Sequence, residues 1–281
     1  MGDPAPYGWT LTMETSAMNQ DICIGTLISG SGTNLQAIMD ACESGQIRGR
    51  IVFIGSDNPD SAGLKRGGKL KIPSFVVDYG SIIRRFKKTT EKVKLPDDFD
   101  FDEILSKQTL FPADAGKEKM KAFFATRVIA EAMLLEKMKS YPFDLLVLAG
   151  FMRNLTPYLI DRVNIVPDHL RIMNIHPALL PAFPGIDGYG DTFRYGCKIG
   201  GCTVHFVDYG EDSGPIIGQR AYTISENDTI ESVREKGLKL EWALYPECVK
   251  LFAEGRLKTV RKTHVLKNGK KMHRTVVKIL P

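Results

Sequence analysis

Residues 22–30, ICIGTLISG, form a nearly continuous apolar run rich in β-branched side chains, the pattern of a strand buried on both faces. Directly after it, Leu35, Ile38, Met39 and Cys42 recur at i, i+3, i+4 and i+7, which predicts a helix with one apolar face. Gly45 stands where that helix would end. The alternation continues with strands over 50–57 and 74–79 around a helix over 62–71. A long helix over about 118–139, a strand over 143–150, a short helix over 155–163 and a strand over 171–176 follow. Strands that alternate with helices predict an α/β fold, a mostly parallel twisted sheet with helices on both faces. Beyond Pro184 the rhythm changes to short strands over 202–209 and 216–224 and a helix from about Thr229 to Ala253. The tail reads as two strands around Lys267-Asn268-Gly269-Lys270, a β-hairpin signal.

Composition narrows the class. Of 281 residues, 43% are hydrophobic and 25% charged, which excludes disordered and fibrous chains. Residues 1–20 lack a basic start and an apolar centre and read as a disordered leader rather than a signal peptide. No apolar run approaches the roughly 18 residues of a membrane span, so the expected location is cytoplasmic. Five scattered cysteines, with 197 and 202 too far apart for a zinc knuckle, argue for reduced thiols and no metal. The net charge of +5 is unevenly placed: residues 255–281 carry nine Lys/Arg and no acid, and 5 − 9 leaves −4 for residues 1–254. A nucleic-acid footprint over the whole protein is therefore not expected. Residues 84–117, charged and broken by prolines, read as a solvated insertion within a catalytic domain over 21–254, with 255–281 as a basic tail.

Three constellations carry chemistry. Ser29-Gly30-Ser31-Gly32-Thr33-Asn34 joins the first strand to the first helix, where glycines and free N–H groups suit a phosphate. It lacks the Lys of a nucleoside-triphosphate loop and the full dinucleotide fingerprint, and its Ser, Thr and Asn could also simply cap the helix. Asn174 and His176, two residues apart, share one side of the strand ending at 176. A parallel sheet delivers them to its carboxyl edge, where ligands sit. Asp212 precedes Ser213-Gly214-Pro215, a turn that holds a carboxylate at a loop tip. Asn, His and Asp together suit acyl transfer to an amine, with an oxyanion donor and a proton relay.

These residues lie in segments that resemble, in order, the glycinamide ribonucleotide formyltransferases of purine synthesis: ISGSGTNLQAI, SDNPDSAGL, LAGFMRNLTP, NIHPALLPAFPG, GCTVHFVD, DSGPII and EWALYP. The resemblance spans about 21–258 apart from the insertion and implies a Rossmann-like formyltransferase fold. It implies that Asn174, His176 and Asp212 are catalytic, with His205 in support. Gly32, Thr33 and Asn34 match the family's phosphate-binding turn, and Glu241 the acid that contacts the sugar or amide of the substrate. Met152, Arg153 and Leu155 match its folate-binding segment, and Arg127 an Arg that holds substrate or folate.

The implied reaction moves the formyl group of 10-formyltetrahydrofolate, a co-substrate, to the amine of glycinamide ribonucleotide, without a metal. Small molecules are the expected partners, with no membrane; a second copy of the chain is allowed. Neighbouring readings are transfer to another phosphorylated amine and hydrolysis of the same folate, although residues 1–20 are too short for the regulatory domain of such hydrolases. One departure lies near the reacting groups: Gly185-Ile186-Asp187-Gly188-Tyr189 replaces the family's Gly-x-His-x-His run. Asp187 is expected at the cleft mouth, exposed or paired with a basic residue.

Overall fold

The structure is a computed structural model that describes residues 21–88, 94–112, 114–166 and 168–281. The leader expected over 1–20 lies outside the described residues. Inside the sheet, β1 (Ile22–Ile28) is hydrogen-bonded in parallel to β2 (Gly49–Ser56) on one side and β4 (Leu145–Leu148) on the other. The sheet extends to β3 (Ser74–Val76) beyond β2 and to β5 (Ile172–His176) beyond β4, all parallel. It then reverses: β6 (Ile199–Phe206) and β7 (Ile216–Thr223) add antiparallel strands, giving the order β3-β2-β1-β4-β5-β6-β7.

Two hydrophobic layers sandwich this sheet, as the unbroken apolar strands require. On one face Ile24, Val147 and Met173 pack with Leu35 and Ile38 of α1 (Thr33–Glu43) and Leu244 and Val249 of α8 (Ile230–Ala253). On the other, Leu27, Leu146 and Ile172 meet Phe124, Val128 and Leu135 of α5 (Lys117–Met138) and Leu159 of α6 (Pro157–Val163). The remaining helices are α2 (Leu64–Lys69), α3 (Tyr79–Lys88), α4 (Phe101–Lys107) and α7 (Gly188–Arg194).

Two expectations are corrected. The strand predicted over 74–79 stops at Val76, because the Asp78 carboxylate accepts the Ser81 N–H at 2.9 Å and starts α3. The described residues of 84–117 are not a solvated excursion. Ile104 is buried, and Phe99, Phe101, Leu105, Leu110 and Phe111 pack on the α5 layer. The apolar residues of this segment are spaced too irregularly among charges for the pattern to show.

The tail forms the predicted hairpin. β8 (Leu257–Val265) pairs antiparallel with β9 (Lys271–Ile279), and Gly269 takes φ +77° in the turn. Such a left-handed residue closing the turn is what Asn-Gly signals. Among the described residues no helix is long and apolar enough to cross a membrane.

Candidate active site

A cleft of about 530 Å³ opens where β1, β4 and β5 end. Its first wall is the glycine turn. Gly32 sits at φ +69°, and a Cβ there would lie 2.8 Å from the Gly63 Cα, so only glycine fits without strain. No side chain caps α1, which leaves its first N–H groups for an anion rather than for Ser31 or Thr33. The Ser29 Oγ accepts the Met152 N–H at 2.8 Å, tying this turn to the 150–155 segment. There the Arg153 Nε donates to Asp57 Oδ2 at 2.5 Å, with Asp57 buried at the end of β2.

Opposite stands the Asn-His-Asp set. The β5–β6 register places Asn174 beside His205, and a left-handed backbone at Asp212 (φ +49°) turns its carboxylate towards both strands. Asp212 Oδ2 lies 3.0 Å from His176 Nδ1 and accepts the Gly185 N–H at 2.8 Å. The other imidazole nitrogen, Nε2, lies 2.7 Å from the Phe183 carbonyl. A carbonyl and a carboxylate only accept, so this pair of partners favours the doubly protonated, cationic ring. Burial by itself would lower the His176 pKa, but the hydrogen bond and charge of Asp212 outweigh it and raise the value. Burial likewise opposes the Asp212 charge, yet His176, with His205 and the Gly185 N–H, holds its carboxyl well below the usual range. His205 Nδ1 lies 2.9 Å from the Phe206 carbonyl, and its Nε2 lies 3.3 Å from Asn174 Nδ2 and 3.6 Å from Asp212 Oδ1.

Between the two walls lies Glu241 on α8, only 5% exposed. Asn34 donates to its Oε2 at 2.6 Å, and the Tyr189 phenol donates to its Oε1. Burial pushes this carboxyl upward against the pull of those two donors. Asp187 pairs at the cleft mouth with Arg194 at 2.9 Å and Arg234 at 3.1 Å, as expected.

The structure thus brings Asn174, His176, Asp212, His205, Gly32, Thr33, Asn34, Glu241, Met152, Arg153 and Leu155 to one cleft. Arg127 does not join them: it lies on α5 with its guanidinium 4.0 Å from the Phe123 ring centroid. Its charge nevertheless reaches the cleft, since burial first and then the nearby Arg153 guanidinium lower its pKa. Sequence reasoning missed Asp57 and the role of Tyr189. The signal for Asp57 was available, because it ends β2 at the same carboxyl edge to which β5 delivers His176. Among the described residues no group of His, Cys, Asp and Glu is arranged to hold a metal.

A mostly parallel sheet with a free-amide glycine turn and an Asn-His-Asp set on one cleft defines a formyl-transfer scaffold. The chain belongs to the formyl transferase family, whose profile matches residues 23–249. Among individual proteins it is similar to the phosphoribosylglycinamide formyltransferase of Bacillus subtilis, with 32% identity over 79% of this chain and 90% of that one. The crystal structure of glycinamide ribonucleotide transformylase 1 from Symbiobacterium toebii superposes with a TM-score of 0.65 at 36% identity, covering 92% of this chain and 94% of that one. The trifunctional purine biosynthetic protein adenosine-3 of Chironomus tentans is 33% identical over 83% of this chain, which spans only 14% of that much longer protein.

Proposed function

We propose that the chain transfers the formyl group of 10-formyltetrahydrofolate to the amine of glycinamide ribonucleotide, with residues 21–254 as the catalytic unit. The observation that carries this reading is the juxtaposition in one cleft of the glycine turn and the Asn174-His176-Asp212 set. The turn takes the acceptor's phosphate on its free N–H groups, and Glu241 takes the sugar. The folate lies along Met152, Arg153 and Leu155. The acceptor nitrogen attacks the formyl carbon and the carbon–nitrogen bond to folate breaks, with no change of oxidation state. The Asn174 amide and the His176 imidazolium stabilise the negative charge on the formyl oxygen, the His176 Nε2–H exchanging the Phe183 carbonyl for that oxygen. Asp212 keeps His176 charged, and the proton lost by the amine passes to the departing folate nitrogen.

The test is to follow tetrahydrofolate release by purified protein with and without glycinamide ribonucleotide. Release that requires the ribonucleotide supports the proposal. Release without any amine marks a hydrolase, and release only with another phosphorylated amine keeps the reaction but replaces the substrate.

A further inference from the structure

The loop that departs from the family pattern ends in an element whose packing has a direct bearing on the acceptor. Tyr189 lies on α7 and is 6% exposed, with its phenol donating to Glu241 Oε1. Asn34, from the glycine turn, donates to Glu241 Oε2 at 2.6 Å. One carboxylate is therefore gripped from two separate elements. On α8, one turn before Glu241, Gly237 leaves the space in which the ring sits: a Cβ there would fall 2.2 Å from the Tyr189 Cζ. The start of α7 is itself fixed, because Asp187 pairs with both Arg194 and Arg234, and Gly188 packs so closely that an added Cβ would lie 2.7 Å from the Pro177 carbonyl oxygen.

We propose that Tyr189, seated against Gly237, is a positioning residue that fixes the Glu241 carboxylate beside the glycine turn to receive the acceptor's sugar hydroxyls. This inference rests on the function proposed above. A carboxylate offers about four lone-pair sites. Tyr189 and Asn34 occupy one on each oxygen, so each oxygen keeps one for the vicinal hydroxyls of a ribose. Without the phenol the carboxylate is held on one side only and turns about its last bond. Both donors also favour the ionised form that burial opposes.

The experiment compares wild type, Tyr189→Phe and Gly237→Ala in formyl transfer, with separate Michaelis constants for each substrate and melting temperatures with and without ribose 5-phosphate. Tyr189→Phe keeps the ring and loses only the hydroxyl. Its KM for glycinamide ribonucleotide is expected to rise about tenfold, near 1.4 kcal/mol. Its KM for the formyl donor stays at the wild-type value, and the Tm gain from ribose 5-phosphate is lost. Gly237→Ala displaces the ring and raises the same KM while the hydroxyl is still present. An unchanged KM for the ribonucleotide in Tyr189→Phe, or equal rises for both substrates, overturns the inference and leaves the transferase reading standing. If wild type fails to use glycinamide ribonucleotide, the thermal data decide: a ribose 5-phosphate response that Tyr189→Phe abolishes still supports the positioning role. A response that Tyr189→Phe retains, or no response in wild type, overturns it.

Discussion

Replacing Asp212 by Asn removes a charge and leaves the size of the side chain intact. In the native cleft this carboxylate lies 3.0 Å from His176 Nδ1 with its side chain 12% exposed. At an effective dielectric constant of about 20, two unit charges at that distance attract by roughly 5 kcal/mol. The net effect is smaller, because the variant no longer has to desolvate two ions. What remains is the loss of a charged donor at the formyl oxygen, for which a fall in kcat of about 10²–10³ is expected, or roughly 2.7–4 kcal/mol. With Asp212 gone, burial governs His176 and its pKa falls.

The assay is kcat against pH for both proteins, with KM for the formyl donor and circular dichroism as controls for binding and folding. The variant is expected to recover activity as pH falls, since acid restores the imidazolium that Asp212 no longer maintains. Stability carries the complementary sign. The raised His176 pKa contributes stability that is full below the ordinary His value and is lost as pH rises through the folded value. The depressed Asp212 pKa contributes stability that is present above the ordinary Asp value and is lost only on strong acidification. A variant with near wild-type kcat, or one equally slow at every pH, would refute the reasoning.

Three further perturbations follow from the same structure. Gly32→Val forces a side chain into a left-handed backbone against Gly63; denaturation should show a loss of at least about 1–2 kcal/mol, and kinetics a raised KM for the ribonucleotide alone. Glu131 is wholly buried on α5, accepts the Thr156 N–H at 2.7 Å at the start of α6, and burial raises its pKa to about 8. A raised carboxyl contributes stability that is lost as pH climbs through that value, so urea denaturation from pH 5 to 9 should show a decline in wild type that Glu131→Gln removes. Gly269→Ala meets open space but keeps a positive φ; hydrogen exchange should loosen in β8 and β9 by about 1 kcal/mol while formyl transfer stays unchanged.

Much of the fold could be read from the chain because its strands are apolar on both faces and its helices carry one apolar stripe. The sheet order and the reversal after β5 could not, since no local pattern says which neighbour a strand takes. The Asn-His-Asp set was legible through the two-residue spacing of Asn174 and His176, which a strand converts into a shared face. Asp57, by contrast, acts through Arg153, 96 positions away, and Tyr189 through Glu241, 52 positions away. Contacts of that kind are decided by packing. The hydrophobic residues of 94–112 were hidden in the same way, each apolar only in the company of α5.

The fit of the Tyr189 ring against Gly237 also constrains how this lineage can change. A side chain at 237 before Tyr189 shrinks meets the ring, whereas loss of the ring first leaves an empty notch and an unsupported Glu241. The two orders of substitution are unequal: the first intermediate is overpacked, the second underpacked and still able to fold. Any exchange of this phenol for a smaller side chain therefore precedes a change at the glycine. A side chain at 237 is accommodated only once the ring has gone, so the glycine and the tyrosine constrain each other.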